Sequence, residues 1–246
     1  MTTATVVLEP TTELRTRPFD AIADTATIAQ RNLITLRRVP QLLVFSTVQP
    51  VIFVLLFRYV FGGAIRVPGV PYVDFLMPGV FAQTVAFGAM NTAIGLATDL
   101  NTGLIERFRS LPMARSAVLA GRTLADAARN VFVVALMVAV GFAVGFRVHT
   151  NPVAFLGAMA LLVLFGYALS WVFAAVGLAV ANPETAQAAA FPLLAPMVFA
   201  SSAFVPVASM PGWLQAFARN QPLSVVVSAS RALVLGGPTA THVLHA

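Results

Sequence analysis

Few side chains in this sequence have the types and spacing that catalysis needs. None of the three histidines, His149, His242 and His245, lies beside acids at the spacing of a metal site. Cysteine and lysine are both absent, which excludes thiolate chemistry, disulfides and a phosphate-binding Gly-x-x-x-x-Gly-Lys loop. We therefore expect no catalytic residue and no metal site, and any ATP hydrolysis must occur on another chain.

Polar and aromatic side chains inside two apolar stretches indicate contact with a ligand rather than catalysis. Polar groups in membrane helices face protein or a cavity more often than lipid. Hydrogen bonding between helices is an equal alternative for the first stretch, and ordinary packing is the alternative for the second. Aromatic faces and small hydroxyls suit an amphipathic guest, including a cation through cation–π contact. The candidates for a substrate path are Gln83, Thr84, Phe87 and Asn91 in the first stretch, and Phe199, Ser201, Ser202 and Phe204 in the second.

A short polar segment between two apolar stretches has the pattern of a docking helix. We predict a helix that Asn101 caps and Pro112 ends, with apolar residues on one face and charges beside them. A membrane anchor does not need such a mixed surface, whereas a partner protein can bind it. The residues predicted to dock are Leu104, Glu106, Arg107, Phe108, Arg109, Leu111 and Pro112.

The helix predicted after this segment carries arginines at every seventh position. Ser116 can cap it, and Arg115, Arg122 and Arg129 share one face. Asp126 is within one turn of the last two, where each ion pair contributes only about 0.3–0.5 kcal/mol. We interpret the arginine face as an anchor to lipid headgroups.

The composition is that of an integral membrane protein. Of 246 residues, 59% are hydrophobic and 10% are charged, with a mean hydropathy of +0.86, whereas about a quarter of the residues of a soluble domain are charged. About 20 apolar residues cross a bilayer as a helix. We predict an all-α, polytopic membrane helix bundle with five visible spans, at 41–61, 75–98, 131–146, 153–181 and 186–207, the last broken by Pro192 and Pro196.

The flanking regions complete this prediction. Residues 1–19 form a flexible polar tail, and we see no cleavable signal peptide. Residues 20–38 alternate on a helical period and predict an amphipathic helix in the membrane interface, with Ala26 and Ala29 on its apolar face. Its basic residues are Arg31, Arg37 and Arg38. The apolar stretch 223–235 is too short to span and contains Arg231.

The arginines also predict the orientation. All 15 cations are arginine, and ten of them lie before the first span or between the second and third spans. The positive-inside rule then places the N-terminus and residues 99–130 in the cytoplasm. This rule explains the net charge of +6 more simply than nucleic-acid binding does.

Several motifs resemble the permeases of type-2 ABC exporters, close to the daunorubicin-resistance group of actinobacteria. The likeness covers roughly residues 29–238 in the same order. It is specific for the family and not for a substrate. The matching stretches are 106–115, 120–122, 182–186, 206–214, 220–223 and 231–233.

The resemblance implies a transport function for the domain 20–246. It implies that 20–38 is the connecting helix, that 101–111 is the cytoplasmic coupling helix, and that 209–235 is an extracellular re-entrant segment. It further implies a homodimer in the bacterial plasma membrane, surrounded by lipid, with two copies of a separate ATP-binding subunit that holds ATP and magnesium. Spans two and five would line the path of an exported drug or lipid-like metabolite.

The sequence departs from the family pattern in one respect, and three alternative functions are open. The family has six spans, so we expect the sixth span to be missing from this chain. A polysaccharide or lipid exporter would share the architecture. A membrane-embedded lipid enzyme would need a paired acid and base, and a proton-driven carrier would need an acid or histidine within the spans. The five predicted spans contain neither.

Overall fold

The computed structural model describes residues 24–32, 34, 40–63, 65, 67, 69–104, 107 and 115–236. Over these residues the protein consists of helices and turns without strands, which confirms the predicted all-α fold. In chain order we number the helices as α1 (24–32), α2 (Pro40–Leu55, continued by a π-helical turn, Leu56–Phe61), α3 (Tyr72–Asn101), α4 (Arg115–Ala143), α5 (Pro152–Ala179), α6 (Pro183–Phe199), α7 (Gly212–Asn220) and α8 (Pro222–Leu235).

Helix α3 is the central element of the bundle. Of its 30 residues 21 are buried, and it packs against α2, α4, α5, α6 and α8. Close approach of α5 depends on residues without a side chain. A Cβ on Gly177 would lie 2.5 Å from the carbonyl oxygen of Ala93. Small residues bring membrane helices together in this way, because lipid supplies no hydrophobic force between them.

In the described part of the chain, three helical segments are long and apolar enough to cross a membrane by length and composition: α3, residues Ala117–Ala143 of α4, and α5. The bounds predicted for the fifth span are wrong. Helix α6 has 17 residues, begins at Pro183 and ends at Phe199, and Pro192 and Pro196 lie inside one continuous helix instead of breaking it. At about 1.5 Å per residue, α6 alone is slightly shorter than the hydrocarbon core.

Helix α1 packs against protein. Ile28 and Ala29 are buried, and a Cβ on Gly121 of α4 would lie 2.7 Å from Ile28 Cβ. Ala26 is exposed, so its predicted place on the apolar face is wrong, because α4 covers a face rotated from the predicted one. Arg31 is exposed. The predictions for Arg37, Arg38, the tail 1–19 and the end of the chain after 236 lie outside the described residues.

The stretch predicted to be re-entrant folds as two short helices, α7 and α8. Arg231 fixes α8 to its neighbours. Its Nε donates to the Phe75 carbonyl at 3.0 Å, its Nη2 donates to the Ser202 carbonyl at 2.8 Å, and the guanidinium lies 3.6 Å from the Phe75 ring centroid. Helix α8 is therefore held to the start of α3 and to the turn after α6.

Candidate substrate cavity

A cavity of about 320 Å³ lies between α2, α3 and α4. Its wall on α3 contains the four residues predicted there from the sequence, and their positions fall within two turns of one helix face. The lining consists of Gln49 and Pro50 from α2, Gln83, Thr84, Phe87, Gly88, Met90 and Asn91 from α3, and Arg129, Asn130 and Val133 from α4. The structure thus brings Gln83, Thr84, Phe87 and Asn91 together, and their role in transport remains a prediction.

Of the polar side chains in this part of α3, Thr92 bonds to Asp126 of α4, whereas the three in the cavity wall do not bridge helices. Thr84 Oγ1 donates to the Val80 carbonyl at 2.7 Å, and Asn91 Nδ2 donates to the Phe87 carbonyl at 3.3 Å, both within α3. Gln83 is 1% exposed, and its Oε1 is buried without a hydrogen-bond partner in the described chain. Interhelical hydrogen bonding, the alternative expected for this stretch, therefore does not account for these three residues.

The candidates from the predicted fifth span lie elsewhere. Phe199 ends α6 and is 51% exposed, whereas Ser201, Ser202 and Phe204 are buried in the turn that follows. Ser201 Oγ donates to the Val198 carbonyl at 2.6 Å, and Ser202 N donates to Ser224 Oγ at 3.0 Å. None of the four is among the residues that line the cavity.

Two of these residues belong instead to an aromatic cluster formed with α2. Phe204 stacks on Phe57 with ring centroids 4.6 Å apart, and Phe53 lies 5.9 Å from Phe204 and 6.2 Å from Phe199. Phe53 follows Gln49 and Pro50 by about one helical turn. Helix α2 therefore contacts both groups of candidates, although the structure does not join them in one site.

Charged side chains connect α3 and α4 next to the cavity, and we call this set the charge ladder. Arg122 Nη1 lies 2.7 Å from Asp99 Oδ2 and its Nε lies 3.6 Å from Asp126 Oδ2, while Arg129 Nη2 lies 3.4 Å from Asp126 Oδ1. Thr92 Oγ1 donates to Asp126 Oδ2 at 2.7 Å. The ladder runs from Asp99, near the end of α3, to Arg129 in the cavity wall.

This geometry corrects two interpretations. Arg122 and Arg129 pair with α3 inside the protein, so headgroup anchoring is wrong for both, because α3 offers them acceptors that lipid was expected to supply. Acids do occur within helices of membrane length, since Asp74 and Asp99 belong to α3 and Asp126 belongs to α4. The predicted spans missed them because the helices extend beyond the purely apolar stretches.

Two glycines of α3 make room for the polar side chains of α4. A Cβ on Gly95 would overlap the guanidinium of Arg122, and a Cβ on Gly88 would overlap the amide of Asn130. Arg129 Nη2 also donates to the Gly88 carbonyl at 2.8 Å. The glycines are seven residues apart, and Arg122 and Asn130, which fill the two gaps, are eight residues apart on α4, so each of these polar groups lies opposite a gap.

The predicted docking segment follows α3 directly. Asn101 is the last residue of α3 and not the cap of a new helix, so that prediction is wrong. The chain turns through Gly103, whose φ is +68°, and Arg107 N donates to the Gly103 carbonyl at 3.2 Å. Leu104 is half-buried and Arg107 is exposed. The predictions for Glu106, Phe108, Arg109, Leu111 and Pro112 lie outside the described residues.

Sequence reasoning missed the contributions of α2 and α4 to the cavity, namely Gln49, Arg129 and Asn130. The spacing of Gly88 and Gly95 indicates the face of α3 on which another helix approaches closely. It does not indicate which residues of α4 fill the two gaps, because that depends on how α4 rotates against α3.

A bundle of apolar helices, several of membrane length, with a cavity of mixed polar and apolar lining between them is consistent with a membrane permease. Residues 24–235 match the family described as ABC-2 type transporter, and the chain belongs to this family. It is a multi-pass membrane protein and the permease subunit of an ABC exporter.

Individual relatives agree with this assignment. The chain is 37% identical to the daunorubicin resistance ABC transporter permease protein DrrB1 of Streptomyces coeruleorubidus, over 96% of this chain and 88% of the relative. It is 28% identical to the probable doxorubicin resistance ABC transporter permease protein DrrC of Mycobacterium tuberculosis, over 78% of this chain and 70% of the relative. It is also 26% identical to the putative transport permease ycf38 of Pyropia yezoensis, over 86% of this chain and 74% of the relative.

Proposed function

We propose that this permease moves an amphipathic compound, a drug or lipid-like metabolite, out of the cytoplasm, driven by ATP hydrolysis on a separate subunit. The observation that carries the proposal is the mixed lining of the cavity, in which amides and a hydroxyl stand beside Phe87 and Val133. Such a lining suits a guest with an apolar body and a few polar groups. Two relatives are named for resistance to daunorubicin and doxorubicin, which supports the same class of substrate. These compounds are therefore the first to test.

The size of the cavity favours this guest over a polymer. A volume of about 320 Å³ is at the lower end of the range for small-molecule pockets. A polysaccharide chain would need a continuous channel. The candidate substrate-path residues on α3 and those after α6 do not lie in one channel. The amphipathic compound therefore remains the better-supported substrate class.

The ATP-binding subunit is proposed to dock on the cytoplasmic segment around Leu104 and Arg107, with two permease copies and two ATP-binding subunits in the complex. The N-terminus is on the same side, in agreement with the arginine distribution. Because this segment continues directly from α3, a push on it moves the end of α3 that bears Asp99. The charge ladder then gives that movement a route to Arg129 in the cavity wall.

The docking role is tested by the double variant Glu106→Ala with Arg107→Ala. In vesicles that contain the permease and its ATP-binding subunit, we expect ATP hydrolysis to continue while ATP-dependent transport of daunorubicin is lost. The reason is that ATP is hydrolysed on the other subunit, which the substitutions do not change. The amount of permease in the membrane should not change.

A matched control removes one acid and one arginine at exposed positions elsewhere, Glu184→Ala with Arg219→Ala. The control should transport normally. Normal export by the Glu106/Arg107 variant would show that the segment does not couple the subunits.

A further inference from the structure

The side-chain amide of Asn130 lies at the cavity without a partner in the described part of the protein. Asn130 is 3% exposed and lines the cavity from α4. An amide can donate two hydrogen bonds and accept two, yet this one makes none with the described residues. Buried polar groups in native structures are nearly always paired, so an unpaired amide in a cavity wall indicates a group that binds a ligand.

The packing around this amide leaves the cavity as the space that it faces. A Cβ on Gly88 of α3 would overlap the amide, and a Cβ on Gly166 of α5 would lie 3.4 Å from Asn130 Nδ2. The amide therefore rests against two neighbouring helices at points where they have no side chain. In contrast to Gln83 Oε1, neither of its polar atoms is completely enclosed by protein. The open space between α3 and α4 at this level is the cavity.

Resting on the proposed function, we propose that Asn130 binds the exported compound through a paired contact. In this contact Nδ2 donates to an acceptor of the compound, and Oδ1 accepts from a donor of the same compound. The complementary group has a donor and an acceptor side by side, as in a carboxamide or in a hydroxyl next to a carbonyl. Because an amide is neutral, the contact places no requirement on the net charge of the compound.

Other polar groups of the cavity wall are already engaged within the protein. Thr84 Oγ1 donates to the Val80 carbonyl, and Asn91 Nδ2 donates to the Phe87 carbonyl. Arg129 Nη2 donates to the Gly88 carbonyl at 2.8 Å. Asn130 by contrast offers both a donor and an acceptor to a compound in the cavity.

Apolar side chains flank the amide on both helices. Phe87 precedes Gly88 on α3 and is half-buried in the cavity wall, and Val133 follows Asn130 by three residues on the same face of α4. A ring that packs between Phe87 and Val133 would bring a polar group on its edge to Asn130. The contact thus narrows the amphipathic class to compounds with an apolar body and a paired donor and acceptor on its edge.

The test compares two fluorescent probes of similar shape, 2-naphthamide and methyl 2-naphthoate. Both have a carbonyl acceptor, and the amide alone has an N–H donor. Each probe is titrated against the full chain in phosphatidylcholine nanodiscs, and the signal of empty nanodiscs is subtracted. In Asn130→Leu, a substitution of similar volume, we expect the affinity ratio of 2-naphthamide to methyl 2-naphthoate to fall about three- to tenfold, because 2-naphthamide alone loses the additional hydrogen bond.

The matched control is Asn220→Leu, which makes the same change outside the cavity. Asn220 is exposed on α7, and its Nδ2 donates to the Ala216 carbonyl at 2.9 Å. This control should keep the affinity ratio of the unmodified protein. Asn130→Asp keeps the acceptor and lacks the amide N–H, so it should also keep the preference for 2-naphthamide.

The ratio separates recognition from packing, since a general loss of packing or a change in the amount of folded protein weakens both probes equally. An unchanged ratio in Asn130→Leu would overturn the proposal and would leave water as the partner of the amide. A ratio in Asn130→Asp as low as that in Asn130→Leu would overturn it as well, because the acceptor is still present.

Measurement of ATP-driven export separates this inference from the proposed function. If daunorubicin is exported and the probe ratio does not respond to Asn130→Leu, this inference fails while the proposed function stands. If no export is measured but the ratio responds, the amide site stands and the proposed function fails.

Discussion

At the scale of single residues, Gly88 and Gly95 explain how an apolar bundle holds two arginines between its helices. Each glycine leaves a gap on α3 that a polar side chain of α4 fills, and the arginines find aspartates and a backbone carbonyl there. Buried charges are tolerated when paired and hydrogen-bonded, and are costly otherwise. Gly95 in particular makes room for the Arg122 guanidinium of the charge ladder.

Gly95→Ala tests this account. The new Cβ forces the Arg122 guanidinium away from Asp99, and we expect the free energy of unfolding to fall by about 1–2 kcal/mol. Replacing glycine by alanine inside a helix usually raises the free energy of unfolding, by up to about 1 kcal/mol. The change expected for Gly95→Ala has the opposite sign. The measurement is the thermal unfolding midpoint of the purified permease, followed by tryptophan fluorescence.

The control is Gly157→Ala, because a Cβ on this exposed glycine of α5 meets no atom within 4 Å. It should leave the midpoint unchanged or raise it. Equal effects of the two substitutions would mean that Gly95 has no special role beside Arg122.

The residue scale also shows how far sequence reasoning reaches. Gln83, Thr84, Phe87 and Asn91 could be selected because polar groups are conspicuous in an apolar stretch and share a helical face. Arg129 could not be assigned to the cavity, since its neighbours depend on how α4 rotates against α3. The interpretation as a headgroup anchor failed because it considered α4 alone.

At the scale of elements, the two ends of α3 are held by different interactions. The end near Asp99 is joined to α4 by ion pairs, whereas the end near Phe75 is joined to α8 by hydrogen bonds from Arg231 to backbone carbonyls. Tyr72 adds a hydrogen bond of 3.0 Å from its hydroxyl to the Phe204 carbonyl. Helix α8 is also held by apolar packing of Leu223, Val227 and Val234 in the core, and by hydrogen bonds from Thr150 and His149 to its last carbonyls.

Arg231→Met should loosen α8, because it removes the hydrogen bonds to Phe75 and Ser202 and the contact with the Phe75 ring. The chain has no cysteine, so Ala229→Cys provides a single reporter at a fully buried position of α8. We expect its reaction with a maleimide to be several-fold faster when Arg231→Met is added.

Arg219→Met is the matched comparison, since Arg219 is exposed on α7 and bonds only to Gln215 within the same helix among the contacts described. Arg219→Met should leave the reaction of the cysteine reporter with the maleimide slow. A reporter that is equally slow with Arg231→Met would show that the other contacts of α8 hold it in place without Arg231.

Element boundaries illustrate why part of the fold could not be predicted. The stretch 186–207 was drawn as one span because it is apolar, yet α6 ends at Phe199, where the Ala200 N–H caps the Pro196 carbonyl. Ser201 then bonds to the Val198 carbonyl and Ser202 bonds to Ser224 of α8, so both lie in a buried turn and not in the predicted span. The hydropathy of a stretch indicates that it is buried in protein or in contact with lipid. It does not distinguish a helix from a buried turn.

At the scale of the whole molecule, the helical bundle and the family describe a membrane permease, and we propose that its energy source lies on another protein. The sequence has no lysine and hence no phosphate-binding loop of the Gly-x-x-x-x-Gly-Lys type. Asp126, a buried acid within a helix of membrane length, is paired with two arginines and accepts a hydrogen bond from Thr92. ATP is accordingly the energy source that the account requires.

The most direct test of this claim measures uptake of daunorubicin into inside-out membrane vesicles that contain the permease and its ATP-binding subunit. The account predicts accumulation that needs both ATP and the second subunit, with no accumulation when a pH gradient is imposed without ATP. Accumulation driven by the pH gradient in vesicles that contain the permease alone would contradict it.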